Sequence, residues 1–291
     1  MLLKNEMRPR RHLRPKAERI TLKAMRLPLL RKIFAPLLCR VIAGAFFLCC
    51  AGQIMAEMSL PRGVMDRLYT TYHESQRRYL SDTNNLQAAL DFSRACFDIA
   101  YVISDNSQRA DFANQGIAAA RRAIAQDAGS AAAHYYLGMN IGQLADAKHG
   151  FSGLRMVKDM EREALAARAL DEHFDYGGPD RNLGLLYENA PSVISIGSRT
   201  KARQHLERAL ELAPDFPENY LNLIEAYLKW DYRTEAAREL EKLEKIWPDA
   251  KKKFSGDDWA IDWIDWNQRL GVVRKKLGSN PKVNESPHST P

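Results

Sequence analysis

Between 197 and 250 the chain reads GSRTKARQHLERALELAPDFPENYLNLIEAYLKWDYRTEAARELEKLEKIWPDA. Leu206, Ala209, Leu210 and Ala213 recur at helical spacing, as do Leu223, Ala226, Tyr227 and Trp230. Between the two runs lies APDFPEN, whose two prolines lack the amide hydrogen that a helix interior needs. A third run, Ala236, Ala237, Leu240 and Leu243, is expected to end at Pro248. The pattern is helix, turn, helix, turn, helix, with small residues where helices must approach closely. A helical pair of this kind cannot bury its apolar face alone and must stack on neighbours.

The spacing resembles the tetratricopeptide repeat, a helical pair of about 34 residues. With Tyr220 opening helix A, Leu223, Ile224 and Tyr227 fall on signature positions, and Ala236, Leu240, Leu243 and Pro248 follow in helix B. Ile224 departs from the family, which prefers a small residue there. An earlier copy has Leu183, Gly184 and Tyr187 in helix A, then Ala202, Leu206, Ala209 and Pro214 in helix B. Its A–B loop, ENAPSVISIGSR, is about six residues longer than the family's. Two fainter copies precede it, one on Leu137, Gly138, Ile141, Ala164 and Ala167, the other on Phe92, Ser93, Cys96, Gly116, Ala120 and Ala123. The resemblance implies an all-α, tetratricopeptide-like helical-hairpin solenoid with inserted A–B loops.

Residues 1–56 read as a basic extension and a signal peptide, removed or anchoring; 57–275 as the helical repeat domain; 276–291 as a polar, disordered tail. Arg31 and Lys32 precede an apolar run broken only by Arg40, and Ile54-Met55-Ala56 offers a cleavage site. Met25 would give a more ordinary start. Twelve of the 43 basic but only two of the 36 acidic residues lie in 1–56, so the net charge of +7 becomes −3 beyond it. The basic balance therefore gives no reason to expect nucleic acid binding. A membrane is expected to be met only through the N-terminal segment, if it is not cleaved. Three of the four cysteines also sit there, which leaves Cys96 as a buried small residue without a disulfide partner. Beyond Pro248, Trp259, Trp263, Trp266 and Leu270 share one helical face, which suits a helix capping the last repeat; a partner-binding stripe is the alternative. Asp257 and Asp258 would favour the start of that helix.

The sequence contains no HExxH, GxGxxG, Walker A or GxSxG pattern, and its seven histidines are scattered. No catalytic residue, metal ligand or cofactor is expected. Binding is expected instead, on the concave wall that the helix A positions of this family form. Here these positions hold Leu90, Arg94 and Phe97; Tyr135 and Met139; Arg181, Leu185 and Glu188; and Leu221, Glu225 and Leu228. Arg94, Tyr135, Met139, Arg181, Glu188, Ser198 and Glu225 are the candidates for contact with a ligand or partner. A wall of this mixture suits a peptide segment or a small amphipathic carboxylate gripped by arginine. Arg94 and Arg181 could equally be solvated or paired with Glu188 and Glu225. The insertions at 146–155 and 188–199 should lie near one another, with Ser195, Gly197 and Ser198 as a polar lip or with Ser198 simply capping helix B.

The whole also resembles the T component of TRAP-type periplasmic transporters, on YYLGMNIGQLA, the insertion after it, ALDEHFDYGGPDRNLGLLYENAP and IGSRTKARQHLERALELAP. That resemblance implies an exported, non-enzymatic accessory of solute uptake with a periplasmic solute-binding protein as partner. The leader departs from that group's habit, since Phe46-Phe47-Leu48 before Cys49 is not a lipobox. The alternatives are a small-molecule carrier with an internal pocket and a peptide-binding scaffold of envelope assembly.

Overall fold

The computed structural model describes residues 62–278 except 83, all within one compact unit. The leader expected over 1–56 and the end of the tail lie outside the described residues. Regular structure among the described residues is helical: α1 (Arg62–Ser81), α2 (Leu86–Val102), α3 (Asn106–Gln126), α4 (Ala131–Lys148), α5 (Gly150–Leu154), α6 (Val157–Leu170), α7 (Phe174–Asn189), α8 (Arg199–Leu212), α9 (Pro217–Lys229), α10 (Arg233–Lys253), a 3₁₀ turn (Asp257–Trp259) and α11 (Ala260–Gly278). Helices α2 and α3, α4 and α6, α7 and α8, and α9 and α10 form the antiparallel pairs, with α1 before them and α11 after.

Side-chain caps set several boundaries by taking up amides that a helix start leaves without partners. Asn85 accepts from Ala88, Asp105 from Gln108, and Ser130 from Ala133. The Asp105 cap fixes the start of α3 at Asn106. Ser198 accepts from the amide of Lys201 at 3.3 Å, so it caps α8. Ser198→Ala should lower unfolding free energy by about 1 kcal/mol without altering partner capture, as urea titration beside a pull-down would record.

Pro248 does not end its helix. Helix α10 continues through it to Lys253. A mid-helix proline costs about 3 kcal/mol. The last turn offsets this by burying Ala250 and Phe254, and its Lys251, Lys252 and Lys253 complement the negative end of the helix. The reversal comes later, at Gly256, where φ is 97°.

The faintest repeat in the sequence is among the most tightly joined. Phe92, Ser93, Cys96, Ala120 and Ala123 are buried. A Cβ on Gly116 would stand 2.2 Å from the buried Asn140 carboxamide oxygen, so glycine is what lets α3 and α4 meet there. The Asn140 amide is fixed in turn by the carbonyls of Ser93 (3.0 Å) and Tyr136 (2.8 Å). Asp180, with no exposed surface, accepts from Arg168 of α6 and pairs with His205 of α8, which ties three helices together. Helix α11 caps the array: Trp266, Leu270 and Val273 enter the core, and Trp263 lies edge-on to Trp247 and Trp266.

At the start of α7 the helix is broken by a left-handed turn in which Asp175, Tyr176 and Gly177 have φ of 50°, 57° and 75°. Pro179 then lies in the first regular turn of α7, where its missing amide hydrogen costs nothing. The turn sends Tyr176 onto Phe216, with ring centroids 4.6 Å apart and planes 9° from parallel.

Candidate functional site

A hollow of about 1620 Å³ runs along the inner face of the array. Its walls come mainly from α1, α2, α4, α7, α9 and α11, with Met160 and Ala164 from α6. The first helix of every pair therefore faces it. Of the wall positions expected from the register, Arg94, Phe97, Tyr135, Met139, Arg181, Leu185, Glu188, Glu225 and Leu228 line the hollow. Leu221 is instead fully buried in the core, and Leu90 packs beside Ala89 and Ala133. Ser198 and the rest of the proposed lip are not in the wall. The two insertions do meet: Leu154 and Ile196 share an apolar cluster with Val157, Leu186 and Ala190.

The seven candidates differ in what their polar atoms have left to offer. Arg181 is 4% exposed. It donates to the Asp175 carboxylate (2.5 Å), the Tyr135 hydroxyl (3.3 Å), the Asn219 side chain (3.2 Å) and the carbonyls of Asp175 and Tyr176 (3.1 and 3.4 Å). Burial alone would lower its pKa, but Glu218, Tyr135 and Asp175 together push it up. This guanidinium holds the left-handed turn in place. Tyr135 donates to Asp175 at 2.5 Å, and burial followed by that carboxylate raises its phenol pKa. Glu188 pairs with Lys229 (2.6 Å) and Glu225 with Arg269 (2.8 Å). Met139 accepts from Asn182. Arg94 is exposed and stands 3.6 Å from Asp98. Each arginine has a carboxylate neighbour, although Asp98 and Asp175 take the places suggested for Glu188 and Glu225.

The 3₁₀ turn and helix α11 supply much that the register of repeats did not name. Asp258, Asp262, Asp265, Arg269, Val272 and Lys276 line the hollow. They lie at helical spacing, one residue before the tryptophan stripe. Arg269 bridges Glu225, Asp265 and Asn222 and so bolts α11 to α9. Across from it stand Asp98 and Tyr101 of α2 and Tyr136 of α4. The DDWAIDWIDW segment carried the signal, because its acids repeat with the same period as its tryptophans.

Four carboxyls in this wall hold their protons unusually well, Asp265 among them through burial that Arg269 opposes. Burial raises Asp262 to about 7, with Glu218 and Asp98 adding like charge. Burial raises Asp98 to about 6, opposed by Arg94, and Asp146 to about 6, opposed by Arg109. The folded state therefore binds more protons than the unfolded chain below about pH 7, so acidification should stabilise it until the unfolded chain's carboxyls also protonate near their ordinary value. Between pH 8 and pH 5.5 the gain should be about 1–3 kcal/mol, allowing for water in the hollow. Thermal melts should rise by several degrees over that interval, and Asp262→Asn should take up much of the rise at pH 8. A fall in melting temperature over the same interval would contradict the electrostatics described.

No group of three or more His, Cys, Asp or Glu among the described residues could hold a metal ion, and no described helix is long and apolar enough to cross a membrane. Burial pushes the Cys96 thiol far up, as suits a packing residue.

No protein-family model and no curated protein matches the sequence. The fold does have solved counterparts. It is similar to the crystal structure of TTC0263, a thermophilic tetratricopeptide-repeat protein of Thermus thermophilus, with a TM-score of 0.54 and 16% identity over 77% of this chain and 98% of that one. A looser likeness joins it to the crystal structure of MamA, with a TM-score of 0.44 and 18% identity over 73% and 96%. At these identities the likeness is one of fold, and the first of the two agrees with the helical-hairpin solenoid described above.

Proposed function

We propose that this chain is a non-enzymatic protein-binding module of the cell envelope, an accessory of solute uptake whose concave hollow takes a segment of its partner. The hollow carries the reading. It is lined by the first helix of every pair, and its lining mixes apolar, aromatic and charged side chains. Its volume of about 1620 Å³ favours a polypeptide segment over a single small molecule, since small-ligand pockets span about 300–1,000 Å³. The leader-like 1–56 supports an exported location, and the solute-binding protein of a TRAP-type system is the partner that the resemblance suggests.

The test is affinity capture from an extract of the native cell envelope, with the full chain as bait beside a Phe97→Ala, Met139→Ala variant. Both side chains line the hollow without belonging to the Arg181 network. Capture of a solute-binding protein, lost in the variant, is the expected result. Capture unchanged by the variant would remove the hollow from the interface. A bait that retains only a small molecule would overturn the protein-binding reading.

A further inference from the structure

We propose that the hollow selects an extended peptide segment by its lysine or arginine side chains, which seat between α2 and α11 among Asp98, Asp262 and Asp265. This rests on the reading that the hollow receives a partner segment, and adds the chemistry of that segment.

The first support is charge. Among the described residues that line the hollow, eleven are acidic and eight are basic. The basic groups are largely engaged with the protein itself. Arg181 is held by Asp175, Lys229 by Glu188, and Arg269 by Glu225 and Asp265. Asp146, Asp258 and Asp262 line the hollow, and no ion pair is made to them among the described residues. The excess facing the interior is therefore negative. It has the same sign as the −3 carried by the chain beyond residue 56 and concentrates that charge on one surface.

The second support is a pair of unmet polar atoms. Asp265 and Asn222 are 5% and 4% exposed, both line the hollow, and each keeps one side-chain atom without a hydrogen-bond partner: Oδ1 of Asp265 and Nδ2 of Asn222. A buried unpaired polar atom costs about 1–3 kcal/mol. A peptide offers both complements at once, cationic or amide hydrogens for the carboxylate and a carbonyl for the amide. A simple metal cation offers only one.

The third support is the surface between the acids. Tyr101, Tyr136 and Trp259 also line the hollow. An ammonium or guanidinium is attracted to the faces of such rings, and its apolar stem gains contact with them. Crowding of like charge is visible in Asp262, whose proton is held more tightly because of Glu218 and Asp98 after burial itself. A bound cation would relieve that repulsion.

The experiment uses the full chain and three fluorescein-labelled nonapeptides that share one apolar frame and carry three lysines, three glutamines or three glutamates. Fluorescence anisotropy should show the lysine peptide binding at least tenfold more tightly than the other two. The net charge of −3 beyond residue 56 also favours lysine over glutamate, so the site itself is tested by the variants below, which change charge at the proposed seat or away from it. An Asp98→Asn, Asp262→Asn double variant should lose at least tenfold in affinity for the lysine peptide. Glu241→Gln, a change in an exposed i,i+4 pair on α10, should leave it unchanged. Should the double variant fold poorly by circular dichroism, Asp262→Lys alone serves, and should shift preference toward the glutamate peptide. Equal binding of the three peptides, or preference for glutamate in the native chain, would overturn the inference. Binding of free spermidine with no binding of the lysine peptide would overturn the choice of a polypeptide. If no peptide binds while envelope capture is still abolished by Phe97→Ala, Met139→Ala, the cation site falls and the hollow remains the partner's seat.

Discussion

Arg181→Met should lower the unfolding free energy by about 3–5 kcal/mol, the range for breaking a buried ion pair by removing one partner. The cost comes from what is left behind. Asp175 and Glu218 would face one another without the cation that stands 2.5 Å from one and 3.7 Å from the other. The Asp175 carbonyl would lose its Arg181 donor, and the Tyr176 carbonyl would keep only Asn219, inside a turn that already places two non-glycine residues at positive φ. The Phe216 ring would lose the guanidinium that sits 5.2 Å from its centroid. Lysine should rescue only part of the loss, because a point charge cannot reach two carbonyls, an amide and a carboxylate together. Equilibrium urea unfolding of the full chain gives the number. A loss below about 1 kcal/mol would show that the turn is held by other means.

The second large effect is expected at the cap. Trp266 is 1% exposed and meets Phe216, Trp263 and Phe254 at centroid distances of 5.4, 5.0 and 6.1 Å. Trp266→Ala should cost about 3–5 kcal/mol. In a stacked array each unit leans only on its neighbours, so the loss should appear first at one end. The unfolding curve should broaden, with Trp259 and Trp263 reaching water before the far-ultraviolet helical signal from the N-terminal pairs declines. A single sharp transition, merely shifted, would mean that α11 and the first pairs unfold as one unit.

Much of the fold was legible because it is written in short-range chemistry. Prolines, small residues at helix crossings and the 3.6-residue period of Leu206, Ala209 and Leu210 act over one or two turns, so they can be read without knowing the tertiary structure. Pro248 misled for the same reason. Its local penalty is plain in the sequence, whereas the burial of Phe254 that outweighs it depends on α11 arriving later in the chain. The concave wall was legible wherever a residue's direction follows from its place in a repeat, as for Tyr135, Met139 and Glu225. The state of those residues was not. Whether an arginine greets a ligand or braces a turn depends on groups dozens of positions away: Arg181 is satisfied by Tyr135 and Asn219. The acidic face of α11 was hidden by the tryptophans beside it, which fit a cap so well that the neighbouring stripe went unread.

One ion pair, Arg67 of α1 with Asp257 of the 3₁₀ turn, joins the two ends of the array at 3.7 Å, and both side chains are largely exposed, at 46% and 78%. A surface pair of this kind is worth about 0–1 kcal/mol and weakens with salt. The molecule thus resembles a split ring with a light clasp. A closed ring admits a polypeptide only by threading from a free terminus. A split ring admits it sideways, so an internal stretch of a folded partner, such as a long loop, can enter and leave without any chain end passing through.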